Sequence, residues 1–321
     1  MTLISIVTPC FNEEDNVEEL YRQVKTVFSQ LPDYRYEHIF IDNASTDKTV
    51  SILKKIATVD KNIKIIVNSR NFGHIRSPYY GLLQAYGDAV ILLVADLQDP
   101  PELIKTFITE WEKGNKIIIG VKPKSEESRI MFNIRKLGYY WIGKIADIKL
   151  IKNFTGFGLY DREVMKALRA YDDPYPYFRG MIADIGFNIV EIPYQQPKRK
   201  KGVSKNNFYS LYDIGMLGIT SYSKIPLRLA AMGGFFLSAI SLTISIVFFI
   251  FKLIFWNTFN AGIAPVLIGL FFFSSVQLFF IGLLGEYIAS INTRVMRRPL
   301  VIEKERINFE KRVVDVVQLM D

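Results

Sequence analysis

The chain has 321 residues and a formal net charge of +8, and half of its residues are hydrophobic. This apolar content is too high for an ordinary soluble protein, and the excess is concentrated in the last third. The length accommodates one soluble domain of about 200 residues together with a membrane part. The positive charge is compatible with nucleic acid, anionic lipid or a phosphorylated substrate as partner.

Strand-like and helix-like segments alternate through the first half of the chain. Short apolar strands are predicted over residues 3–7, 36–41, 63–67 and 90–94, with amphipathic helices over 13–30, 48–58 and 72–85 between them. Further strands are predicted over 116–120, 153–160 and 189–192, and further helices over 122–149 and 162–169 and from 177. This alternation predicts an α/β domain with a mostly parallel, Rossmann-like sheet. It contains neither GxGxxG nor GxxxxGK[ST].

The stretch VILLVADLQDPPE, residues 90–102, joins a buried strand to a group of polar side chains. Open α/β sheets place their ligands at the carboxyl ends of strands. Asp96 and Gln98 would share one face of an extended chain, and their hard oxygen atoms suit Mg²⁺ or Mn²⁺. The alternative is an acidic turn that caps the helix beginning at Pro100-Pro101, without a metal.

Other strand ends carry further candidate residues. Asp42 follows the second strand and is a candidate for binding the base or ribose of a nucleotide, with a simple turn residue as the alternative. Asp161 follows the strand predicted over 153–160 and is a candidate general base. Its alternative role is the N-cap of the next helix, which the same carboxylate could fill as well. The single cysteine, Cys10, excludes an internal disulfide and fits a reducing compartment.

The last third of the chain is typical of a membrane protein. A basic run, PKRKKGVSK at 197–205, can pair with anionic lipid head groups or close over a diphosphate. Residues 207–224 are predicted to form an amphipathic helix in the membrane interface. Residues 229–251 and 261–285 are uncharged, and each exceeds the ~20 residues that cross a bilayer core.

The flanks of these two apolar spans carry the charges that set orientation. Lys224 and Arg228 precede the first span, and Arg294, Arg297 and Arg298 follow the second. By the positive-inside rule both flanks and the soluble domain are predicted to be cytoplasmic. The amino terminus, MTLISIVTPC, lacks the basic cluster of a signal peptide. The tail from Glu303 is predicted to be a short helix or disordered.

Four motifs in the first hundred residues carry a resemblance to a known family. In order, IVTPCFNEEDNVEEL, IFIDNASTDKT, NFGH and ADLQDPPE resemble the family-2 glycosyltransferases with a GT-A fold. With FTGFGLYDREV, PYFRG and GVSK before two membrane spans, the chain resembles the polyprenyl-phosphate branch of that family. This branch includes relatives of dolichol-phosphate mannose synthase and the bactoprenol glucosyltransferases. The resemblance covers residues 3–298.

The resemblance implies an enzyme that moves a sugar from a nucleotide-sugar to a polyprenyl phosphate, for modification of a cell-surface glycan. Glucose, UDP-glucose and undecaprenyl phosphate are the expected sugar, donor and acceptor, with Mg²⁺ or Mn²⁺ as cofactor and inversion at the sugar. The expected location is the cytoplasmic face of the plasma membrane, and the expected partners include the bilayer but no nucleic acid. A homo-oligomer is left open.

The implied organisation has four parts: a cytoplasmic GT-A catalytic domain (1–205), an interface helix (206–226), a two-helix transmembrane domain (227–292) and a cytoplasmic tail (293–321). The resemblance also implies the site residues. For the nucleotide-sugar these are Pro9, Asn12, Glu13, Asp42 and Asp96. For the metal they are Asp96 and Gln98. Asp96 and Asp161 are the implied catalytic residues, the latter as base or acceptor-orienting group. For the acceptor or diphosphate they are Arg179, Arg199 and Lys205.

Two departures from the family pattern keep other functions open. Val94 stands where the family often has an aspartate, and Asn43-Ala44 stands where it often has Asp-Gly. Val94 motivates the alternative of a membrane-anchored nucleotide-sugar-binding protein with a degenerate site. A transporter component for lipid-linked sugars is a further alternative, but two spans are few for it. A processive polysaccharide synthase is disfavoured because the QxxRW motif is missing.

Overall fold

The computed structural model describes residues 1–122, 151, 153–196, 208–255 and 263–309. The chain divides into two compact units. One contains Met1–Arg129, Leu150–Asn206 and Arg297–Asp321, and the other contains Ile130–Lys149 and Asn207–Met296. The helix predicted over 122–149 and the basic run at 197–205 lie almost wholly outside the described residues.

The first unit is built on one mixed sheet. Its strands are β1 (Thr2–Cys10), β2 (Tyr34–Asp42), β3 (Ile63–Asn68), β4 (Ala89–Leu92), β5 (Ile117–Val121), β6 (Phe154–Asp161), β7 (Ile189–Pro193) and β8 (Glu303–Ile307). Across the sheet they lie in the order β7-β5-β6-β4-β1-β2-β3-β8.

Most strand pairs of this sheet are parallel. β1 lies between β2 and β4, β3 extends the same parallel set, and β7 is parallel to β5. β6 is antiparallel to both of its neighbours, β4 and β5, and β8 is antiparallel to β3. The predicted mostly parallel α/β sheet is therefore confirmed. Because β6 alone reverses between them, β4 and β5 run in the same direction and end at the same edge.

Six helices of this unit lie in the described residues. They are α1 (Val17–Ser29), α2 (Thr49–Val59), α3 (Gly73–Leu83), α4 (Leu103–Glu112), α5 (Arg162–Ala170) and α6 (Phe178–Asp184). The sequence places Val17, Leu20, Val24 and Val27 on one face of the amphipathic helix predicted over 13–30, and in α1 these four residues are buried against the core. The helix begins at Val17, so Glu13 precedes it, and the Glu13 carbonyl accepts the backbone N–H groups of Asn16 and Val17.

The strand β8 corrects the prediction for the tail. A short helix or disorder was expected from Glu303, yet residues 303–307 pair with β3. Without β8, the outer edge of β3 would leave its backbone N–H and C=O groups unpaired. Asn308 fixes the end of β8, because its side-chain amide donates to the carbonyls of Ala57 (2.8 Å) and Ile63 (2.9 Å). The charged sequence EKERI carries no alternating apolar pattern that would have indicated a strand.

In the second unit, the described residues form the helices α7 (Phe208–Tyr222), α8 (Ile225–Ile254) and α9 (Ile263–Val295). Residues Ile225–Ile254 and Ile268–Val295 are long and apolar enough to cross a membrane, with mean hydropathies of 2.3 and 2.0. Their large apolar side chains are exposed, for example Phe235 (78%) and Phe271 (71%), as lipid-facing residues are. The helix predicted over 207–224 is present as α7. The Arg294 guanidinium in α9 donates to the hydroxyl of Ser221, near the end of α7 (2.7 Å).

Candidate active site

The carboxyl end of β2 holds a fully buried carboxylate. Asp42 accepts hydrogen bonds from the backbone N–H (2.9 Å) and the hydroxyl (2.5 Å) of Ser45. Burial raises the pKa of Asp42 above its ordinary value, and the hydrogen bonds from Ser45 oppose this shift. Asp42 is thus fixed in one orientation at the strand end, as is required of a group that recognises a ligand through hydrogen bonds.

The loop after β1 is locked to the loop after β2. The Asn12 backbone N–H donates to the Ser45 hydroxyl (2.8 Å), and the Asn12 side-chain oxygen accepts the Thr46 backbone N–H (2.8 Å). The Glu13 backbone N–H donates to the Thr49 hydroxyl (2.9 Å). The structure therefore brings Asn12 and Glu13 close to Asp42 and fixes the loop after β1 against the loop after β2. Pro9 lies in register with Ile41 near the end of β1.

A buried amide network joins the ends of β2 and β3. The Asn43 side-chain oxygen accepts from the Phe72 backbone N–H (2.8 Å) and from the Asn68 amide (3.1 Å). The Asn43 amide donates to the Asn71 side-chain oxygen (2.9 Å), and the Asn68 amide also donates to the Ser77 hydroxyl (2.9 Å). Asn43 both donates and accepts here, which an ionised aspartate cannot do. The departure from the family pattern at this position is thus matched by its surroundings.

The turn after β4 differs in shape from the prediction. β4 ends at Leu92, and Leu97 has a left-handed backbone (φ 58°), so residues 96–98 form a turn where an extended chain was expected. Asp96 and Gln98 therefore do not share a strand face, and this prediction was wrong. The Asp96 side chain instead accepts the Gln98 backbone N–H (3.1 Å), and both residues remain partly exposed.

Asp99, three residues beyond Asp96, is the buried acid of this edge. It is only 2% exposed and accepts a hydrogen bond from the phenol of Tyr194, which follows β7. Burial raises the pKa of Asp99 to about 6; the Tyr194 hydrogen bond and Lys122 oppose the shift, and Asp96 adds to it. The turn therefore carries two carboxylates that influence each other, of which Asp99 is the one taken out of water.

Lys122 supplies the opposing charge. It directly follows β5, whose carboxyl end lies at the same edge as that of β4. Burial lowers the pKa of Lys122, Asp99 and Asp96 raise it, and Arg179 in α6 lowers it. Lys122 therefore lies within electrostatic reach of Asp96, Asp99 and Arg179. Such a mixed cluster is suited to binding a diphosphate, whose negative charge needs nearby cations.

Core packing fixes Tyr194 in this cluster. Its ring lies edge-on to Phe157, with centroids 5.6 Å apart. Gly120 makes this approach possible, because a Cβ there would lie 2.8 Å from Phe157 and 2.9 Å from Tyr194. The Tyr194 phenol is therefore held on Asp99 by the hydrophobic core and by the small residue beneath it.

The structure does not bring Asp161 to this edge. Asp161 ends β6, which is antiparallel to β4, and it lies in register with Ala89 at the start of β4. Its carboxylate accepts the Trp111 indole N–H (2.7 Å) and the Glu163 backbone N–H (2.8 Å). These contacts make it the N-cap of α5, which is the alternative role that the sequence allowed. Arg199 and Lys205 lie outside the described residues.

Three participants were missed by sequence reasoning, namely Asp99 as a distinct buried acid, Lys122 and Tyr194. Lys122 could have been found, since it follows a predicted strand just as Asp42 and Asp96 do. Tyr194 gave no local signal, because its partner lies 95 positions earlier in the chain.

Oxygen donors suited to Mg²⁺ or Mn²⁺ are present at the turn after β4. Among the described residues there is no group of three or more His, Cys, Asp or Glu side chains that could hold a metal ion. Asp96 and Gln98 offer a carboxylate and an amide oxygen, which are hard ligands. Such a set fits a cation whose remaining ligands are diphosphate oxygens and water, as Mg²⁺ commonly has.

Comparison with known proteins finds a match to the model of glycosyl transferase family 2 over residues 5–169. The bactoprenol glucosyl transferase of Shigella phage SfV is 33% identical over 302 residues, covering 94% of this chain and 98% of that protein. The uncharacterised glycosyltransferase sll0501 of Synechocystis is 33% identical over 300 residues, covering 93% and 94%.

Solved structures similar to this chain include mannosyl-3-phosphoglycerate synthase from Rubrobacter xylanophilus. It is 15% identical, with a TM-score of 0.47, and the match covers 72% of this chain and 75% of that one. Glucosyl-3-phosphoglycerate synthase from Mycobacterium tuberculosis is 18% identical, with a TM-score of 0.44 and coverages of 68% and 76%.

Proposed function

The chain belongs to glycosyl transferase family 2, and from this premise we propose that it transfers a sugar from a nucleotide-sugar to a polyprenyl phosphate. The observation that carries the proposal is that Asp42, the turn with Asp96 and Asp99, and Lys122 lie at strand ends on one edge of the sheet. In the same chain, two helices are long and apolar enough to cross a membrane. Relatives over almost the whole length are named bactoprenol glucosyl transferases.

The donor is proposed to lie along the carboxyl edge of the sheet. Asp42, buried and oriented by Ser45, is placed to accept hydrogen bonds from the base or ribose. The diphosphate would then extend toward Asp96, because β1 alone separates β2 from β4 in the sheet, about 10 Å for two strand spacings. UDP-glucose is the proposed donor.

Asp96 and Gln98 are the proposed ligands of the cation, Mg²⁺ or Mn²⁺. When bound, such a cation neutralises charge that develops on a diphosphate leaving group. Lys122 and Arg179 supply further positive charge at the same place. Tyr194 and Asp99 support Lys122, because the Asp99 carboxylate raises the pKa of the lysine and favours its charged form.

The proposed acceptor explains why no side-chain base is needed. A phosphate monoester has a second pKa of about 6, so its oxygen is already ionised at pH 7. The position of Asp161 at the opposite edge is compatible with this chemistry. We propose a single displacement with inversion at the sugar, and NMR of the product formed from an α-configured donor tests it, since an α-linkage would exclude inversion.

The proposed location is the cytoplasmic face of the plasma membrane, with undecaprenyl phosphate as acceptor. Residues Ile225–Ile254 and Ile268–Val295 are the proposed spans. The basic residues Lys224, Arg228 and Arg294 near the span ends support a cytoplasmic placement of both flanks. Most of the catalytic unit precedes Lys224 in the chain, and its last segment, which contains β8, follows Arg294. Both parts would then face the cytoplasm.

A second candidate function is nucleotide-sugar binding without turnover. Val94 favours it, because the family often has an acid at this position. The deciding experiment is a donor screen with the purified full-length protein. UDP-glucose, UDP-galactose, GDP-mannose and UDP-N-acetylglucosamine are each labelled in the sugar and mixed with undecaprenyl phosphate and Mg²⁺ or Mn²⁺.

Label extracted into organic solvent, dependent on the lipid acceptor, supports glycosyl transfer and identifies the sugar. Saturable nucleotide binding without lipid-linked label from any donor favours the binding protein. A matched control for the variants is Asp33→Asn, since Asp33 is an exposed carboxylate in the loop before β2, away from the site.

A further inference from the structure

Three arginines gather beside the carboxyl end of β3, next to the Asn43 amide network and apart from the turn after β4. The Arg76 guanidinium donates to the backbone carbonyl of Pro299, which places the preceding residue, Arg298, next to it. The guanidinium carbons of Arg70 and Arg76 lie 4.1 and 5.3 Å from the centroid of the Phe72 ring. All these residues belong to the first unit of the chain. We call Arg70, Arg76 and Arg298 the arginine cluster.

The arginine cluster concentrates positive charge in a small area of the first unit. None of its three members forms an ion pair with a carboxylate within the described part of the chain. The Nε atom of Arg76 is buried and has no hydrogen-bond partner among the described residues. Burial lowers the pKa of Arg76, and the neighbouring cations Arg70 and Arg298 lower it further. An anion bound here would relieve this repulsion and offer an acceptor to the buried Nε.

The neighbourhood of the cluster limits where such an anion can lie. Arg298 also lines a cavity of about 380 Å³, together with Arg169, Arg297, Asp172 and Asp173. The two carboxylates disfavour an anion bound directly beside them. Arg70 and Arg298 are exposed, so the anion is approached from solvent or from a lipid surface at the arginine end.

The position of Arg298 in the chain indicates the source of the anion. It follows Val295, the last residue of α9, by three positions, at most about 10 Å of extended chain. Residues Ile268–Val295 form one of the two proposed membrane spans. Phosphate head groups at the end of this span are therefore within reach of Arg298.

We propose that the arginine cluster binds the phosphate of an anionic membrane lipid. The site is separate from the site after β4, because β3 and β4 are three strand spacings apart in the sheet, about 14 Å. Bound lipid would hold the segment around Pro299 against α3 through Arg76. The proposal rests on the membrane insertion proposed above, but it does not depend on glycosyl transfer.

The test measures lipid binding to the full-length protein, without a sugar donor. The protein is purified in a neutral detergent and titrated with phosphatidylglycerol or with phosphatidylcholine, and bound lipids are counted by native mass spectrometry. The variant is Arg70→Gln/Arg298→Gln, which removes the two exposed cations. The matched control is Arg35→Gln/Lys61→Gln, which removes the same charge from two exposed positions. Arg35 lies in β2, and Lys61 lies in the turn before β3.

We expect the wild-type chain to retain phosphatidylglycerol in preference to phosphatidylcholine. The double variant should bind it roughly thirtyfold more weakly, about fivefold for each arginine, and the control should bind like wild type. Equal binding by the double variant, or an equal loss in the control, overturns the proposal. Arg298→Gln alone, expected to weaken binding about fivefold, is the second variant if the double variant does not fold.

Two further arms distinguish the sources of phosphate. Inorganic phosphate at millimolar concentration should not displace the lipid, and displacement would overturn a lipid site in favour of a free-phosphate site.

In the transfer assay, we expect the double variant to have an unchanged KM for polyprenyl phosphate. A KM raised tenfold, with phosphatidylglycerol binding intact, would assign the cluster to the acceptor instead. Flotation of every variant with membranes separates failure of lipid binding from failure of membrane insertion.

Discussion

The phenol of Tyr194 donates a hydrogen bond to the carboxylate of Asp99, and this contact joins the end of β7 to the turn after β4. Both residues belong to the core side of the site, and Asp99 is almost completely buried. Because Asp99 also raises the pKa of Lys122, the tyrosine supports the charge of the lysine through the aspartate. The turn that carries Asp96 is therefore joined by this hydrogen bond to the end of β7, an edge strand of the sheet.

Lys122 is expected to contribute positive charge to the leaving diphosphate. Lys122→Gln should lower kcat/KM by about 100- to 1000-fold, the usual loss when one stabilising donor is removed. Lys122→Arg keeps the charge and should retain most of the activity. The measurement is steady-state transfer with the best donor. Loss of no more than twofold in Lys122→Gln would exclude the lysine from the reaction.

Asp99 is expected to make stability depend on pH between about 4 and 6. Its pKa is raised to about 6 in the folded chain, above the ordinary value of 3.8, so folding favours the protonated form. This contribution is fully present below pH ~4 and is lost as pH rises through 6, at a cost on the order of 3 kcal/mol. Asp99→Asn should remove this part of the pH dependence.

The measurement for Asp99 is the thermal unfolding midpoint of the detergent-solubilised protein from pH 4 to 7.5. The difference in midpoint between Asp99→Asn and wild type should grow in favour of the variant as pH rises. A difference that is constant across this range would show that Asp99 ionises normally. Asp33→Asn, at an exposed position, serves as the control and should show no such trend.

Asp161 is expected to contribute to stability and not to the reaction. Asp161→Ala should destabilise the domain by about 1 kcal/mol through loss of the α5 cap, and further through the unpaired Trp111 indole. Asp161→Asn keeps an acceptor for the cap and should be milder. For both variants kcat/KM at 20 °C should stay within about threefold of wild type. A loss of 100-fold in Asp161→Asn, with unchanged stability, would restore the role of general base.

The strand β8 is expected to protect the edge of β3. Arg306→Pro places a proline at the position of β8 that pairs with Ile66, where its fixed φ and its ring disfavour a regular ladder, and should release this strand. Limited proteolysis should then cleave between the end of α9 and residue 309 faster than in wild type, and the midpoint of unfolding should fall. Lys304→Ala, an exposed position outside the register, is the control. Equal cleavage of Arg306→Pro and wild type would mean that the strand adds little to the sheet.

Local patterns predicted most of the parallel core. Apolar runs gave β1 to β5 within a few residues, and the apolar face of α1 was correct except that the structure also buries Phe28. What they could not give was direction or distant pairing. Asp161 ends a strand, as Asp42 does, but β6 runs the other way and carries its end to the opposite edge. Pairing of β8 depends on an open edge more than 200 positions earlier, which no local pattern contains.

For the site residues, too, local patterns were sufficient for some positions, whereas distant contacts decided others. Asp42 and Asp96 were found because they follow buried strands, whereas the turn at Leu97 changed how Asp96 and Gln98 are presented. Ala44 has a left-handed backbone (φ 63°), which glycine adopts without strain. This explains in physical terms why the family often has glycine there. The neighbouring Asn43 is explained only by the buried amides around it.

The most direct test of the account is acceptor-dependent transfer by Asp96→Asn. Purified wild type, Asp96→Asn and Asp33→Asn are compared with labelled UDP-glucose, or with the donor that the screen selects, in the presence of undecaprenyl phosphate and Mn²⁺. We predict lipid-linked label from wild type and Asp33→Asn, and a loss of at least 100-fold in Asp96→Asn with membrane insertion intact. Wild-type rates in Asp96→Asn would contradict the account, because the reaction would then take place elsewhere.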